Sequence, residues 1–268
     1  MALTGVFTAQ KKDGTVYYRA SFTYRGKHIS LGSFASEQEA HGAYLLAEKI
    51  AGGEHLYPNV MREIEAWSEA GSAVTFDKWV MLLNLRDNGM YSHNPIYLQH
   101  RFFYYCLDTD TILRFDIEEL FYYMNHKIQR RGGHLFVADY GMQVSILSRY
   151  GIKNYAVPGK DYSFVNGDSL DFRSGNIEIV NPYHGVREAF YRGRVVFVAR
   201  IHINGDYVVG RYQSAEEAAA AYNKAADYLE SHGLKKHFPR NYIEKFDDLE
   251  YAATYHRVRI SKKLKDAI

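Results

Sequence analysis

The sequence predicts an α+β protein. Two small modules, each a three-stranded antiparallel sheet backed by one helix, flank a helical connector and a further segment. Three observations carry this. Residues 5–47 and 185–225 repeat one order of features. In both, apolar residues alternate with polar ones at a period of two, as strands with one covered face require. In both, the alternation ends at Ser-x-x-Glu and gives way to alanines at helical spacing.

The first module occupies residues 1–60 and contains GVFTAQKKDGTVYYRASFTYRGKHISLGSFASEQEAHGAYLLA. Tyr18, Ala20 and Phe22 face one way; Arg19, Ser21 and Thr23 face the other. A turn falls at Arg25-Gly26. Ser36 and Glu39 form a capping box, after which Ala40, Ala43, Tyr44 and Ala47 share one helical face. Small residues there let the helix lie close on the sheet. An aromatic-proline pair, Tyr57-Pro58, follows.

Residues 61–110 read as a helical connector. MREIEAWSEAG and FDKWVMLLNLRDNG place apolar residues at i, i+3 and i+4. The aromatic run IYLQHRFFYYCL predicts buried core, with pairing to a second copy, a homodimer, as the alternative. Residues 111–182 form the further segment. The second module spans 183–246 and contains GVREAFYRGRVVFVARIHINGDYVVGRYQSAEEAAAAYNKA. Phe197, Ala199, Ile201 and Ile203 oppose Val198, Arg200 and His202. Asn204-Gly205 is a favoured two-residue hairpin turn. Ser214 and Glu217 predict a second capping box, followed by Ala218, Ala221, Tyr222 and Ala225 on one face. Phe238-Pro239 repeats the aromatic-proline pair. Residues 247–268 end HRVRISKKLKDAI, a basic tail that reads either as a phosphate clamp or as a solvated terminus.

Composition narrows the function classes. A net charge of +2 excludes a histone-like protein but not a nucleic-acid binder, because clustering matters more than the sum. The single cysteine, Cys106, excludes an internal disulfide and a thiolate metal cluster and fits a reducing compartment. The 24 Tyr and 15 Phe suit thin domains and wet interfaces. MALTGVFTAQKKDG lacks the apolar core of a signal peptide, and no apolar run approaches the roughly 18 residues of a membrane span. The expectation is a cytoplasmic protein without a membrane partner.

Basic residues cluster on the strands. In residues 1–31, Lys11, Lys12, Arg19, Arg25 and Lys27 stand against Asp13 alone. In 185–212, Arg187, Arg192, Arg194, Arg200 and Arg211 stand against Glu188 and Asp206. Ser21, His28 and His202 complete the candidate set. Cationic side chains at strand spacing on an uncovered sheet suit a reader of the DNA major groove; a solvated strand face is the bland reading.

The pattern GV…ARI..NG…G.[FY].[ST].EEAA.AY..AA resembles the AP2 domain, the integrase-type DNA-binding domain. The likeness is clearest in 185–226 and weaker in 5–47. It implies a three-stranded sheet lying in the major groove, with arginines and tryptophans touching bases and phosphates. Carried over by position, Arg187 on the first strand, Arg200 on the second and Arg211 near the end of the third are the candidates. The tryptophans usual in plant members are absent; Phe197 and Tyr18 hold the comparable place.

Residues 112–182 resemble the HNH segment that often precedes an AP2 domain in phage-type homing endonucleases. That family's core runs Asp-His-x-Asn-Gly-Asp-x-x-Asp-Asn-Arg-x-x-Asn-Leu. In the same register stand Ser163, Phe164, Val165, Asn166, Gly167, Asp168, Ser169, Leu170, Asp171, Phe172, Arg173, Ser174, Gly175, Asn176 and Ile177. The chemistry needs a carboxylate on a divalent metal and an imidazole that takes a proton from water. Ser163 and Phe164 supply neither. Gly185 stands where a further ligand is expected, and Ser148-Arg149 where an upstream His-Arg pair, on a strand, is expected. Asn176 remains, in a position that ties the loop. His126 and His134 follow no metal spacing and read as surface or packing residues.

The resemblance therefore implies a degenerate, pseudo-nuclease ββα frame, with no catalytic residue, metal or cofactor. The expected protein is a sequence-specific double-stranded DNA binder, a transcriptional regulator of phage or mobile-element origin, on the nucleoid when bound. The alternative is a homing-type endonuclease with displaced groups drawn from Asp161, Asp168, Asp171 and His184.

Overall fold

The computed structural model describes residues 3–53, 55, 59–68, 73–153 and 156–266; Tyr57-Pro58 lies outside them. The chain divides into two units, Met1–Ala156 with Ser163–Glu178, and Val157–Tyr162 with Ile179–Ile268. Helices and antiparallel sheets of two or three strands build both, an α+β arrangement.

In the first unit, β1 (Val6–Gln10), β2 (Val16–Tyr24) and β3 (Lys27–Phe34) form an antiparallel sheet in that order. Arg25 and Gly26 both adopt left-handed φ, 47° and 78°, the two-residue hairpin geometry that matches strand twist. Helix α1 (Glu37–Ala51) covers one face. Its capping box is complete: Glu39 N–H donates to Ser36 Oγ at 3.2 Å, and Ser36 N–H donates to the Glu39 carboxylate at 3.1 Å. Ala40, Ala43 and Ala47 are fully buried against the strands. Helices α2 (Val60–Glu65) and α3 (Phe76–Asn88) follow. Ile64, Trp79, Leu82 and Leu83 join the core beneath α1, so these helices complete the first module instead of merely leading away from it.

The expected helical connector is helical only to Asn88. Beyond it lie strands β4 (Ile96–Leu98), β5 (Phe102–Cys106) and β6 (Ile112–Asp116). Both faces of this sheet are covered. Tyr97, Tyr104 and Cys106 turn to the first core; Ile96, Phe103, Tyr105, Leu113 and Phe115 turn to a second, aromatic one. The aromatic run is core. Double burial removes the polar alternation by which a strand is recognised.

After α4 (Leu120–Asn125) comes a sheet the sequence reading did not anticipate: β7 (Ile128–Arg131), β8 (His134–Asp139) and β9 (Met142–Ser145). Its two hairpins turn at Gly132-Gly133 and Tyr140-Gly141, all four with positive φ. Ser148 and Arg149 sit on a 3-10 turn, Ile146–Tyr150, and not on a strand. Strands β10 (Tyr162–Phe164) and β11 (Ile177–Ile179) pair. No helix follows β11 before the next strand, so the expected ββα frame lacks its helix.

In the second unit, β12 (Val186–Tyr191), β13 (Arg194–His202) and β14 (Asp206–Tyr212) form an antiparallel sheet backed by α5 (Ala215–Ser231). Val186, Ala199, Ile201 and Val209 meet Ala218, Ala221, Tyr222 and Ala225 in one core. Two local predictions need correction. His202 pairs with Asp206, so residues 203–205 make a three-residue loop. Glu217 reaches the Gln213 N–H at 3.3 Å, one residue before its predicted partner. The presumed tail is folded: α6 (Asp248–Arg257) and α7 (Lys262–Lys265) follow, with Val258 and Leu264 buried in the core. Among the described residues, no helix is long and apolar enough to cross a membrane.

Candidate nucleic-acid interface

Helix α5 covers one face of the second sheet, so register decides what the other face carries. Val198 pairs with Arg187 on β12 and with Arg211 on β14, giving one row across all three strands. Arg200 pairs with Val208, His202 with Asp206, and Tyr191 with Arg194. Ala199 and Ile201, next along β13, face the helix. Arg187, Arg194, Arg200, His202 and Arg211 therefore share the open face, and all are exposed. Val198 is only 7% exposed because its cross-strand neighbours are arginines, whose methylene stems cover apolar surface while their heads stay in water. Glu188 pairs with Phe197 on the helix side, which removes one acid from this face.

Arg192 occupies the β12–β13 turn with Gly193, φ 51° and 78°. Its guanidinium lies 5.3 Å from the centre of the Tyr191 ring, and that of Arg211 lies 4.6 Å from it. Tyr191 thus organises two cations at the tip of the sheet. Sequence reasoning passed over it, although counting by twos from Arg187 through Ala189 reaches it. Phe197 and Tyr18 pair with Tyr212 and Phe34 and pack on the helix side.

Charge pairing is common among the chain's other arginines, although Arg19, Arg25, Arg101, Arg131 and Arg259 also lack a carboxylate partner among the described residues. Arg86, Arg114, Arg130, Arg149, Arg173, Arg240 and Arg257 each hold a carboxylate. Among the described residues, Arg187, Arg192, Arg194, Arg200 and Arg211 have none. The one acid on the open face, Asp206, bonds His202 at 2.9 Å.

The first sheet is poorer. Arg19 pairs with Phe7 and Ser33, and His28 with Thr23, all on the face away from α1. Lys11 and Lys12 stand in the β1–β2 turn. The other candidates go elsewhere. Lys27 pairs with Tyr24 on the helix side, and its ammonium lies 5.4 Å from the Tyr91 ring centre. Arg25 reaches the end of α3, where a Cβ on Gly89 would stand 4.0 Å from its guanidinium, a site that the negative end of a helix favours. Ser21 is buried, 8% exposed, with its N–H bound to the Gly5 carbonyl at 3.0 Å. Register shifts beside it, between Ala20 and Ser21.

The loop at 163–177 is a closed hydrogen-bond network. Asn176 Oδ1 accepts from Asn166 N–H at 2.8 Å, and its amide donates to the Asp171 carbonyl at 2.8 Å. Asp168 accepts from Leu170 N–H at 2.9 Å and from Arg114 at 3.3 Å. Asp171 is fully buried and takes two bonds from the Arg173 guanidinium, at 2.8 and 2.6 Å. These bonds hold its carboxyl below the usual carboxylate range despite burial. Phe164 packs edge-on against Phe172, ring centres 5.7 Å apart. Ser163 lies 3.4 Å from the Glu178 carboxylate. Asp161 accepts from Val157 N–H at 2.7 Å. His184 N–H donates to Asn241 at 2.6 Å. His126 stacks on Tyr122, and His134 is exposed at a hairpin. Among the described residues, no three His, Cys, Asp or Glu side chains cluster where they would hold a metal ion.

No family model, curated protein or solved structure matches the chain.

Proposed function

We propose that this chain is a non-enzymatic, sequence-reading binder of double-stranded DNA, acting through the open face of β12–β13–β14. The supporting observation is the run of exposed arginines without carboxylate partners on one side of that sheet, in a chain that pairs so many of its other arginines. A concentrated positive face of this kind calls for a polyanion. The row from Arg187 through Val198 to Arg211 is about 10 Å wide, two strand spacings, and fits a major groove about 12 Å wide. Arg200 stands one step along β13, where a guanidinium can bridge the two acceptors of a guanine. A regulatory role in transcription fits such a reader.

Selection of bound duplexes from a random pool tests the reading. On the selected duplex, Arg200→Ala is expected to weaken binding by about 1–3 kcal/mol and to relax preference at one position. Unchanged affinity at several salt concentrations removes Arg200 from the interface. Incubation of plasmid with Mg²⁺ or Mn²⁺ is expected to leave it uncut. Nicking that disappears in Asp168→Ala or Asp171→Ala would replace this reading with a metal-dependent endonuclease.

A further inference from the structure

The segment after α6 is fastened to the outer edge of β14. Ser261 N–H donates to the Val209 carbonyl at 2.8 Å, and Ser261 Oγ donates to the Val208 carbonyl at 2.7 Å. The Tyr212 hydroxyl donates to the Arg259 carbonyl at 2.7 Å. Val258 and Leu264 anchor the two ends of the segment in the core. At its start, the Lys224 ammonium donates to the carbonyls of Tyr255, His256 and Val258 at 2.8, 3.1 and 2.8 Å. One backbone bond and two side-chain bonds therefore hold 259–261 beside β14 as an added edge without a strand ladder.

Of its cations, Arg257, Arg259 and Lys265 border one groove with Tyr228 and Tyr255. Arg257 is bound to Glu217 at 2.9 Å, and the Lys265 ammonium lies 5.6 Å from the Tyr228 ring centre, on the helix side. Arg259, Lys262 and Lys263 are exposed and, among the described residues, have no acidic partner. We infer that Arg259, Lys262 and Lys263 clamp the phosphate backbone of a DNA duplex at the β14 side of the groove. The inference rests on the DNA-binding reading proposed above.

Width decides between groove and backbone. Adjacent strands lie about 4.8 Å apart, so β12 and β14 are separated by about 10 Å and the docked segment stands about 14 Å from β12. The major groove is about 12 Å wide. With the three strands inside it, the added edge falls over the bounding phosphates. Contacts there position the protein and carry no sequence information.

The test compares the full-length protein with the triple variant Arg259→Gln/Lys262→Gln/Lys263→Gln on a mixed-sequence duplex across a salt series. Three lost phosphate contacts are expected to flatten the slope of log K against log salt by about 2.7, which is about 40-fold less loss of affinity between 50 and 200 mM salt. Base preference in duplex selection is expected to stay the same, as is the thermal unfolding midpoint. Lys262→Arg/Lys263→Arg is expected to retain the original slope. An unchanged slope with duplex binding intact overturns the clamp and leaves the sheet reading standing. An altered base preference overturns it too, because the residues would then read sequence. Failure of the unmodified protein to bind any duplex sinks both.

Discussion

Asp171 shows how a buried acidic residue in a tight loop is committed to structure. Its two oxygens take the Arg173 guanidinium and the Asn166 amide, while Arg173 N–H donates to it at 3.2 Å. Little of the carboxylate remains for a metal. Asp171→Asn is expected to lower stability at neutral pH by about 1.5–3 kcal/mol, the worth of a charge-assisted bond. The sign with pH follows from the lowered titration. A carboxyl that ionises below its ordinary value of 3.8 contributes stability above that value and loses it as pH falls through the lowered one. The gap between the native protein and Asp171→Asn should therefore narrow in acid, below about pH 4. Urea unfolding at pH 7 and pH 3 measures it. An equal gap at both would show that the charge is not what holds the loop.

Among the elements, the two modules share a device built on a glycine. Gly185 has φ 71°, accepts from Arg200 N–H at 2.7 Å, and lies under the Tyr222 ring. A Cβ there would stand 2.5 Å from both the Arg200 carbonyl oxygen and that ring. Gly5, with φ 75°, repeats the arrangement under Tyr44, where a Cβ would stand 2.0 Å from the nearest ring atom. Gly185→Ala should cost about 2–5 kcal/mol, joining left-handed strain to overpacking, and should lower the urea midpoint accordingly. A loss below about 1 kcal/mol would mean the tyrosine swings aside. Such parts were legible because Gly-Val, the alternation and the Ser-x-x-Glu recur together. Legibility failed where physics erased the pattern. Phe103 and Tyr104 face opposite cores, so β5 shows no polar alternation. The bulges beside Ser21 and Arg200 are invisible to counting by twos. The hairpins at Gly132-Gly133 and Tyr140-Gly141 do carry glycine turn signals. Counting by twos places Arg187, Arg194, Arg200, His202 and Arg211 on one face, as the register does; in the first sheet Lys27, Arg25 and Ser21 stand elsewhere because neighbouring helix, loop and bulge claim them.

Across the whole molecule, the duplication conceals unequal partners. The second sheet offers Arg187, Arg194, Arg200 and Arg211 on one face, with Arg192 at its tip; the first offers Arg19 and His28, with Lys11 and Lys12 in a turn. A guanidinium among others acts in a summed field, and a solitary one is screened within about 10 Å. Arg19→Ala is therefore expected to weaken binding to the selected duplex threefold or less, under about 0.7 kcal/mol, while Arg200→Ala weakens it about 5- to 150-fold. Equilibrium titration of both variants on one duplex orders them. If Arg19→Ala costs as much as Arg200→Ala, the first module is an equal reader. Duplex selection with Arg19→Ala then separates two cases. A shortened site would mean that each sheet holds its own segment and that the link between them supplies affinity through effective concentration. A site of unchanged length would mean that Arg19 touches only phosphate, and its loss would flatten the salt slope by about 0.9.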